Sequence, residues 1–369
     1  MTRGREEYMK KIFMMVYSEI DKDARVLRAA KALSKTYEVY LYSVGSIDIE
    51  HIHFIPVSKV DKPVGKKAQL RFITGAMLEC KRIKPDIIYG HDLFSAVPLV
   101  LYKTVANNKI KYIYDAHELF CEEELSRYDF ISRLQYLFER KAIKKSDLVI
   151  CASNKRAEIM QDRLGLKILP TVIRNISYLS INIIDEFTGK YNDFFEREGF
   201  SIVYAGGMLA GRRLDDLIEA VNKLGKQYKL LLVGNGPDFK RLQDKIRMIG
   251  NENIIISEGI PYSKLGNLLI HFDAGYLYYP NDSLNNRYCA PNKVFEYASI
   301  GLPIIGNKNI SLIEEIESNN IGVCEDDFEK AIIILKDKYE LIKKSIALFV
   351  KNNSLELEMK KLEEAVGEL

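Results

Sequence analysis

The stretch Cys289-Ala-Pro-Asn-Lys-Val-Phe-Glu-Tyr-Ala-Ser-Ile-Gly-Leu-Pro-Ile-Ile-Gly306 reads as a polar loop, a short helix, a glycine stop and an apolar strand. Pro291 suits a helix start, where its missing N–H costs no hydrogen bond, and Gly301 supplies a left-handed stop. A helix that drops straight into an isoleucine strand is a repeating piece of a parallel sheet covered by helices. The segment also carries chemistry. Free N–H groups at the helix start and Lys293 offer positive charge to an anion. Glu296 lies one turn in, within an apolar run, and can accept hydrogen bonds from hydroxyls. An anion and a diol together describe a nucleotide sugar.

Working outward, the same alternation fills the chain. In the first half the expected strands are 11–17, 38–44, 86–89, 110–114, 148–151 and 167–172, with helical patterns such as 24–34, 67–82, 93–105 and 131–144. In the second half they are 202–205, 229–233, 254–257, 274–278, 303–305 and 322–324, with helices at 212–224, 238–249, 262–270, 292–299, 312–318 and 328–335. Runs rich in Ile, Val and Leu between amphipathic helices mean parallel sheets buried on both faces. Two successive sets predict an α/β chain of two Rossmann-like, doubly wound domains facing across a cleft. The first is expected over residues 1–185 and the second over 186–340. A helical, charged tail over 341–369 either packs back on the first domain or ends the chain as a helix pair. Asn175–Gly199, polar and aromatic without a period, is the expected linker.

A chain of 369 residues, 47% hydrophobic and 28% charged, has room for two cores. No apolar run approaches the ~20 residues that cross a bilayer, and the N-terminus has no apolar signal core. Five cysteines (Cys80, Cys121, Cys151, Cys289, Cys324) are widely spaced without a C-x-x-C pair, which argues against a disulfide framework or structural zinc. The cytosol is the expected compartment. Residues 1–185 hold 31 Lys and Arg against 23 Asp and Glu, and the remainder 23 against 28. A net charge of +3 is too mild for a nucleic-acid partner. The basic first half is compatible with an anionic acceptor or peripheral contact with an anionic membrane surface.

In open parallel sheets, ligands bind beyond the carboxyl ends of the strands. Polar residues collect there: Gly90-His91-Asp92 and Asp115-Ala-His117-Glu118 in the first half, and Gly206-Gly207, Arg212-Arg213, Gly234-Asn-Gly-Pro237 and Gly259-Ile260 in the second. The Gly234 turn is neither G-x-G-x-x-G nor a P-loop. Gly206-Gly207 permits close backbone approach to a ligand or to a neighbouring strand. Arg212 and Arg213 at a helix start oppose the helix dipole, which points to an anionic partner. His91 and His117, each with an adjacent carboxylate, are either structural hydrogen-bonders or substrate contacts. His51 and His53 alternate on a short strand without a third ligand, so an exposed face is expected over a metal. Asp21-Lys-Asp23 reads as a metal-holding carboxylate pair or, through Asp23, as a helix N-cap.

Taken together, these residues resemble the family 4 glycosyltransferases, retaining enzymes of the two-Rossmann-domain GT-B architecture. The resemblance runs from Asp23-x-Arg25-Val26 to Gly301-Leu-Pro-Ile and includes Gly206 to Arg212, Leu-Val-Gly-x-Gly-Pro237 and Pro291-Asn292-Lys293-x-x-Glu296-Tyr-Ala. It includes the branch signature Tyr-Asp-Ala-His-Glu at Tyr114–Glu118, preceded by His91-Asp92. It implies a nucleoside-diphosphate sugar donor, a glycan or lipid-linked acceptor, no metal or cofactor, and a place in cell-surface polysaccharide synthesis. Glu296 then accepts the donor ribose hydroxyls, Arg212 and Lys293 hold the diphosphate, and Ile260 contacts the base through its backbone. His117 lies beside the donor sugar. Gly206, Gly207, Arg213, Gly234 and Asn292 join the donor site, and His91, Asp92, Asp115, Glu118 and Tyr288 the substrate contacts. The family's pair of glutamates eight positions apart is broken here by Tyr288, and its Lys-Gly is Arg212-Arg213. A nucleotide-sugar 2-epimerase of the same architecture and a non-catalytic sugar-nucleotide-binding protein are the alternatives.

Overall fold

A computed structural model describes residues 9–105, 109–119, 130–181 and 186–369. The chain divides into two compact domains, Met1–Arg174 with Glu356–Leu369, and Asn175–Leu355. The first holds β1 (Lys11–Glu19), β2 (Glu38–Val44), β3 (Ile52–Pro56), β4 (Ile87–His91), β5 (Lys111–Asp115), β6 (Leu148–Cys151) and β7 (Thr171–Val172). They form a sheet in the order β3-β2-β1-β4-β5-β6-β7, parallel throughout. The second holds β8 (Phe200–Ala205), β9 (Tyr228–Val233), β10 (Ile254–Ser257), β11 (Ala274–Leu277), β12 (Ile304–Gly306) and β13 (Gly322–Cys324). Their order is β10-β9-β8-β11-β12-β13, again all parallel. Each order reverses once, between β1 and β4 and between β8 and β11. Those two reversals are where an open sheet gathers its ligand-binding residues.

Interior strands of both sheets are buried on both faces, as a parallel sheet demands. Ile12 to Met15 in β1 and Leu230 to Leu232 in β9 have no exposed surface. Glycine also sets strand packing: a Cβ on Gly275 of β11 would lie 2.5 Å from the Tyr297 ring.

Several expectations are corrected. The strand expected over 167–172 keeps only Thr171–Val172, because Ile168 is 79% exposed and Pro170 has no N–H to give a ladder. Asn154–Leu164 is a further helix, capped by Ser153, and the short strand expected at His51 and His53 is β3, beginning at Ile52. The helix expected over 312–318 is one α-turn capped by Asn309 and a π-turn over Ile313–Glu317. The expected linker is no linker: Ile176, Leu179, Tyr191 and Phe194 lie in the second domain's core, so the crossing falls at Arg174/Asn175. The 185/186 boundary borders residues outside those described, as does Cys121.

The tail expected over 341–369 divides. Helix Tyr339–Asn352 buries Ile342, Ile346 and Phe349 in the second core. Helix Leu355–Gly367 buries Leu362 and Val366 in the first, and its Glu358 accepts from the Arg174 backbone N–H at 2.8 Å. Among the described residues no helix is long and apolar enough to cross a membrane.

Candidate functional site

In the second domain, the turns after β8, β9 and β11 build one polar cluster. Gly206 donates to Val233 O (2.9 Å) and Met208 to Asn235 O (2.9 Å), so the loop after β8 lies backbone-on-backbone against the Gly234-Asn-Gly-Pro237 turn. That contact dictates glycine. A Cβ on Gly234 would sit 1.8 Å from Gly206 O, and one on Gly236 2.3 Å from Met208 O. The Gly206 site is closed from the other side by Lys293, whose Cε would lie 3.3 Å from an added Cβ.

Arg212 ends a short 3-10 turn, and the helix begins only at Leu214, two residues later than the expected start at 212. The reason is Arg213, which is left-handed (φ 50°) and breaks the helical path. Arg212 donates from Nη1 to Tyr278 O (2.6 Å), and its guanidinium lies 4.6 Å from the Tyr279 ring centre. Arg213 instead pairs with Asp216 and rests over the Phe328 ring. Arg213 is therefore spent on the fold around its helix, while Arg212 is aimed at the strand ends.

Lys293 lies in the first turn of the helix Asn292–Ser299, for which Pro291 is the N-cap. Its Nζ is 3.7 Å from Glu296 Oε2. Burial pushes the Lys293 ammonium below its ordinary range against the pull of Glu296, and Arg212 adds to the fall. The three charges thus feel one another within one domain. Glu296 is 5% exposed, and its Oε1 accepts from Tyr262 OH (3.0 Å) and Ser177 OH (3.4 Å). Two hydroxyls fix the carboxylate and leave Oε2 toward Lys293. Tyr262 and Ser177 were not marked by the sequence, because nothing local ties them to Glu296. Ile260 is half-buried against the core, and Gly259 N donates to Asn235 Oδ1 (3.3 Å). Asn292 is exposed at the helix start, Gly207 O accepts from Tyr204 OH (2.5 Å), and Tyr288 closes the short helix Leu284–Arg287.

In the first domain, Asp115 at the end of β5 is the centre of a second cluster. Arg25 donates to both its oxygens, Nε to Oδ2 at 3.0 Å and Nη2 to Oδ1 at 2.7 Å, and from Nη1 to Ile173 O at 2.9 Å. Tyr89 OH donates to Oδ2 at 3.3 Å. His91 Nδ1 is 3.5 Å and His117 Nε2 3.9 Å from that oxygen, and the two ring nitrogens are 3.4 Å apart. Burial opposes the charge on Asp115, yet Arg25 beside it holds the carboxyl well below its usual range. Burial lowers His117 despite Asp115, with Arg25 reinforcing the fall. His117 is accordingly a neutral imidazole near neutral pH, with one donor and one acceptor nitrogen. His91 is fully buried, and among the described residues its Nε2 has no hydrogen-bond partner.

Asp92 follows β4 in left-handed backbone (φ 62°), and burial raises its carboxyl. Glu118 is exposed, 3.9 Å from Arg156 Nη2, while Arg156 Nη1 donates to His117 O (2.7 Å). Arg25 was visible in the sequence only as part of a motif, without a role.

His91, Asp115 and His117 offer ligand atoms within 4.8 Å of one another. They do not fit a cation, because the fixed charge of Arg25 already occupies both oxygens of Asp115. The remaining sequence candidates separate. Asp23 is an N-cap: its Oδ1 accepts from Val26 N (3.3 Å) and its Oδ2 from Ser18 OH (2.8 Å). His51 lies just before β3 in left-handed backbone, so it does not share a strand face with His53, which stacks on Tyr40.

The first domain holds a further buried carboxyl, with Asp92 and Glu118 facing it. Glu139 is 3% exposed, and burial lifts it to about 8 even though Tyr114 OH donates to it at 2.9 Å. The unfolded chain releases that proton near its ordinary 4.5, the folded state near 8, so folding stability falls as pH rises across that window. In Glu139→Gln the fall is expected to be shallower. Melting temperatures of variant and wild type compared from about pH 5 to about pH 9 test this; parallel curves refute the assignment.

The family model for Glycosyltransferase Family 4 matches residues 24–176, most of the first domain and the first two residues of the second. No curated protein matches the chain in sequence. Among solved structures, Anabaena HepE in complex with UDP-glucose is 14% identical, with a TM-score of 0.72 over 97% of this chain and 100% of that one. Sucrose-phosphate synthase from Thermosynechococcus elongatus is 13% identical, with a TM-score of 0.70 over 98% and 94%. A putative UDP-N-acetylglucosamine 2-epimerase from Listeria monocytogenes is 13% identical, with a TM-score of 0.61 over 92% and 91%. These likenesses, with the two parallel sheets, define the fold as the two-Rossmann-domain GT-B class.

Proposed function

We infer that the chain is a glycosyltransferase that moves a sugar from a nucleoside-diphosphate donor to a hydroxyl of a glycan or lipid-linked acceptor. The observation that carries this is the cluster of Gly206, Arg212, Lys293 and Glu296 at the β8/β11 reversal. Close-packed glycine backbone, two cations and a fixed carboxylate are what a diphosphate and a ribose diol require. The family match over the first domain and the UDP-glucose complex of HepE support the same reading.

On this reading the nucleotide belongs to the second domain, and the acceptor, with His117, to the first. Arg212 and Lys293 stabilise the leaving diphosphate without a metal. No protein nucleophile is assigned. Retention follows from same-face substitution in which the departing phosphate helps take the acceptor proton, and neutral His117 orients the sugar. A hexose, a role in cell-surface polysaccharide and a cytoplasmic site, peripheral on the inner membrane face, complete the proposal.

A thermal-shift panel of UDP-, GDP- and ADP-sugars tests it. A cognate donor at ~100 times its dissociation constant stabilises the protein by ~2.7 kcal/mol. Glu296→Ala is expected to weaken donor binding about tenfold or more, the worth of hydrogen bonds to a charged group, while slowing bound chemistry less. Equal donor affinity in that variant would remove Glu296 from the site. The epimerase reading is favoured by one observation, the match to the Listeria protein. Incubation with donor alone separates the two: an epimerase converts the sugar without any acceptor.

A further inference from the structure

The first domain has a cavity of about 330 Å³ that shares only Glu118 with the candidate residues described above. One wall is the helix Phe130–Lys145, which presents Tyr136, Glu139, Arg140 and Ile143 at helical spacing. The opposite wall is the helix Asn154–Leu164, and the third is the loop after β5, from Ala116 to Leu119. That loop also carries His117.

We propose that this cavity is a binding site for a neutral sugar residue, with Glu139 among its lining residues. The layout fits such a ligand in three respects. Tyr136, Ile143 and Met160 are buried and give an apolar seat for the C–H face of a sugar ring. Glu139 lines the same cavity and has its Oε1 fixed by Tyr114, so its carboxyl is held in one orientation. At the rim, Glu118 and Asp162 are matched in number by Arg140 and Arg163, which disfavours a strongly charged guest. The volume is at the small end of ligand pockets and suits one sugar residue better than a chain.

The charge state of Glu139 agrees with this. Tyr114 from β5, Asp92 and Glu118 face it, and burial keeps it protonated near neutral pH. A protonated carboxyl both donates and accepts, which matches a hydroxyl and not an ammonium group or a metal ion. The guest is assigned as the terminal sugar of the acceptor, a step that rests on the transferase reading.

The test uses the full chain with methyl glucoside and methyl galactoside as probes, followed by saturation-transfer NMR, with UDP, GDP and ADP titrated into the same samples. Wild type is expected to bind a glycoside in the millimolar range. Glu139→Leu weakens it about tenfold, Glu139→Gln leaves it near wild type, and Met160→Trp, which fills the cavity, abolishes it. A nucleotide bound without any glycoside overturns the cavity assignment and leaves the transferase reading standing. A glycoside bound without any nucleotide does the reverse, supporting the sugar site alone. Undiminished glycoside binding in both Met160→Trp and Glu139→Leu places the sugar elsewhere and overturns the proposal.

Discussion

Arg25→Leu is expected to destabilise the first domain by about 3–5 kcal/mol, the usual cost of leaving a buried charge without its partner. Asp115 exposes 3% of its side chain and Arg25 11%, so water cannot replace the lost guanidinium. The two hydrogen bonds to Asp115 and the one to Ile173 O, which tie the end of β5 to the segment after β7, go with it. The loss is set by the orphaned carboxylate more than by the pair's own attraction. Arg25→Leu combined with Asp115→Leu is therefore expected to recover part of the stability, since no buried charge is orphaned, while Tyr89 OH and Ile173 O still lose a partner.

The pH dependence has a definite direction. In the wild type the Asp115 carboxyl is held well below its ordinary 3.8, so its contribution is present above that value and lost as pH falls through the native one. In Arg25→Leu the carboxyl takes up a proton far more readily, and the deficit relative to wild type narrows toward acid pH. Calorimetry that resolves the first domain's transition measures both effects, because two domains need not unfold together. A loss below about 1 kcal/mol at neutral pH, the range of an exposed pair, would mean that the pair is solvated in solution.

The sheets were legible from the sequence because both strand sets are nearly uniform apolar runs, and a strand buried on both faces has no other way to be written. The Gly206 loop, the Gly234 turn and the helix start at Lys293 were legible for a different reason. Each is local, with glycine or proline fixing the backbone within a few residues. Arg25 was not, since it lies on the helix Ala24–Leu33 and the carboxylate that gives it meaning lies ninety positions away at the end of β5. The same holds for Tyr262 and Ser177 around Glu296. Aromatic and polar residues in 175–199 hid the start of the second core, because Tyr191 and Phe194 pack without any period a strand or long helix would show. Arg212 and Arg213 were read together from their place at a helix start, and only the left-handed backbone at 213 sends their side chains to different partners.

That separation supports the second large prediction. Arg212→Ala is expected to lower kcat/KM for sugar transfer by ~10²–10³, or about 2–4 kcal/mol of transition-state stabilisation, as for other donors to a developing oxyanion. The guanidinium is held by Tyr278 O and the Tyr279 ring, and among the described residues its other N–H donors are not committed. It is pre-oriented, so little entropy is lost when a diphosphate arrives. The backbone around it does not depend on the side chain, because Tyr276 OH donates to Arg212 O at 3.2 Å and that bond survives in alanine. Stability should therefore change little. Arg213→Ala makes the opposite forecast: loss of the Asp216 pair and the Phe328 contact lowers the melting temperature, with transfer near wild type at permissive temperature. Lysine at 212 restores charge without the fork, so Arg212→Lys should recover only part of the rate. If both alanine variants slowed transfer equally, or Arg212→Ala left it unchanged, the leaving group would have to be stabilised elsewhere, and Lys293 with the helix start at Asn292 would be the groups to carry it.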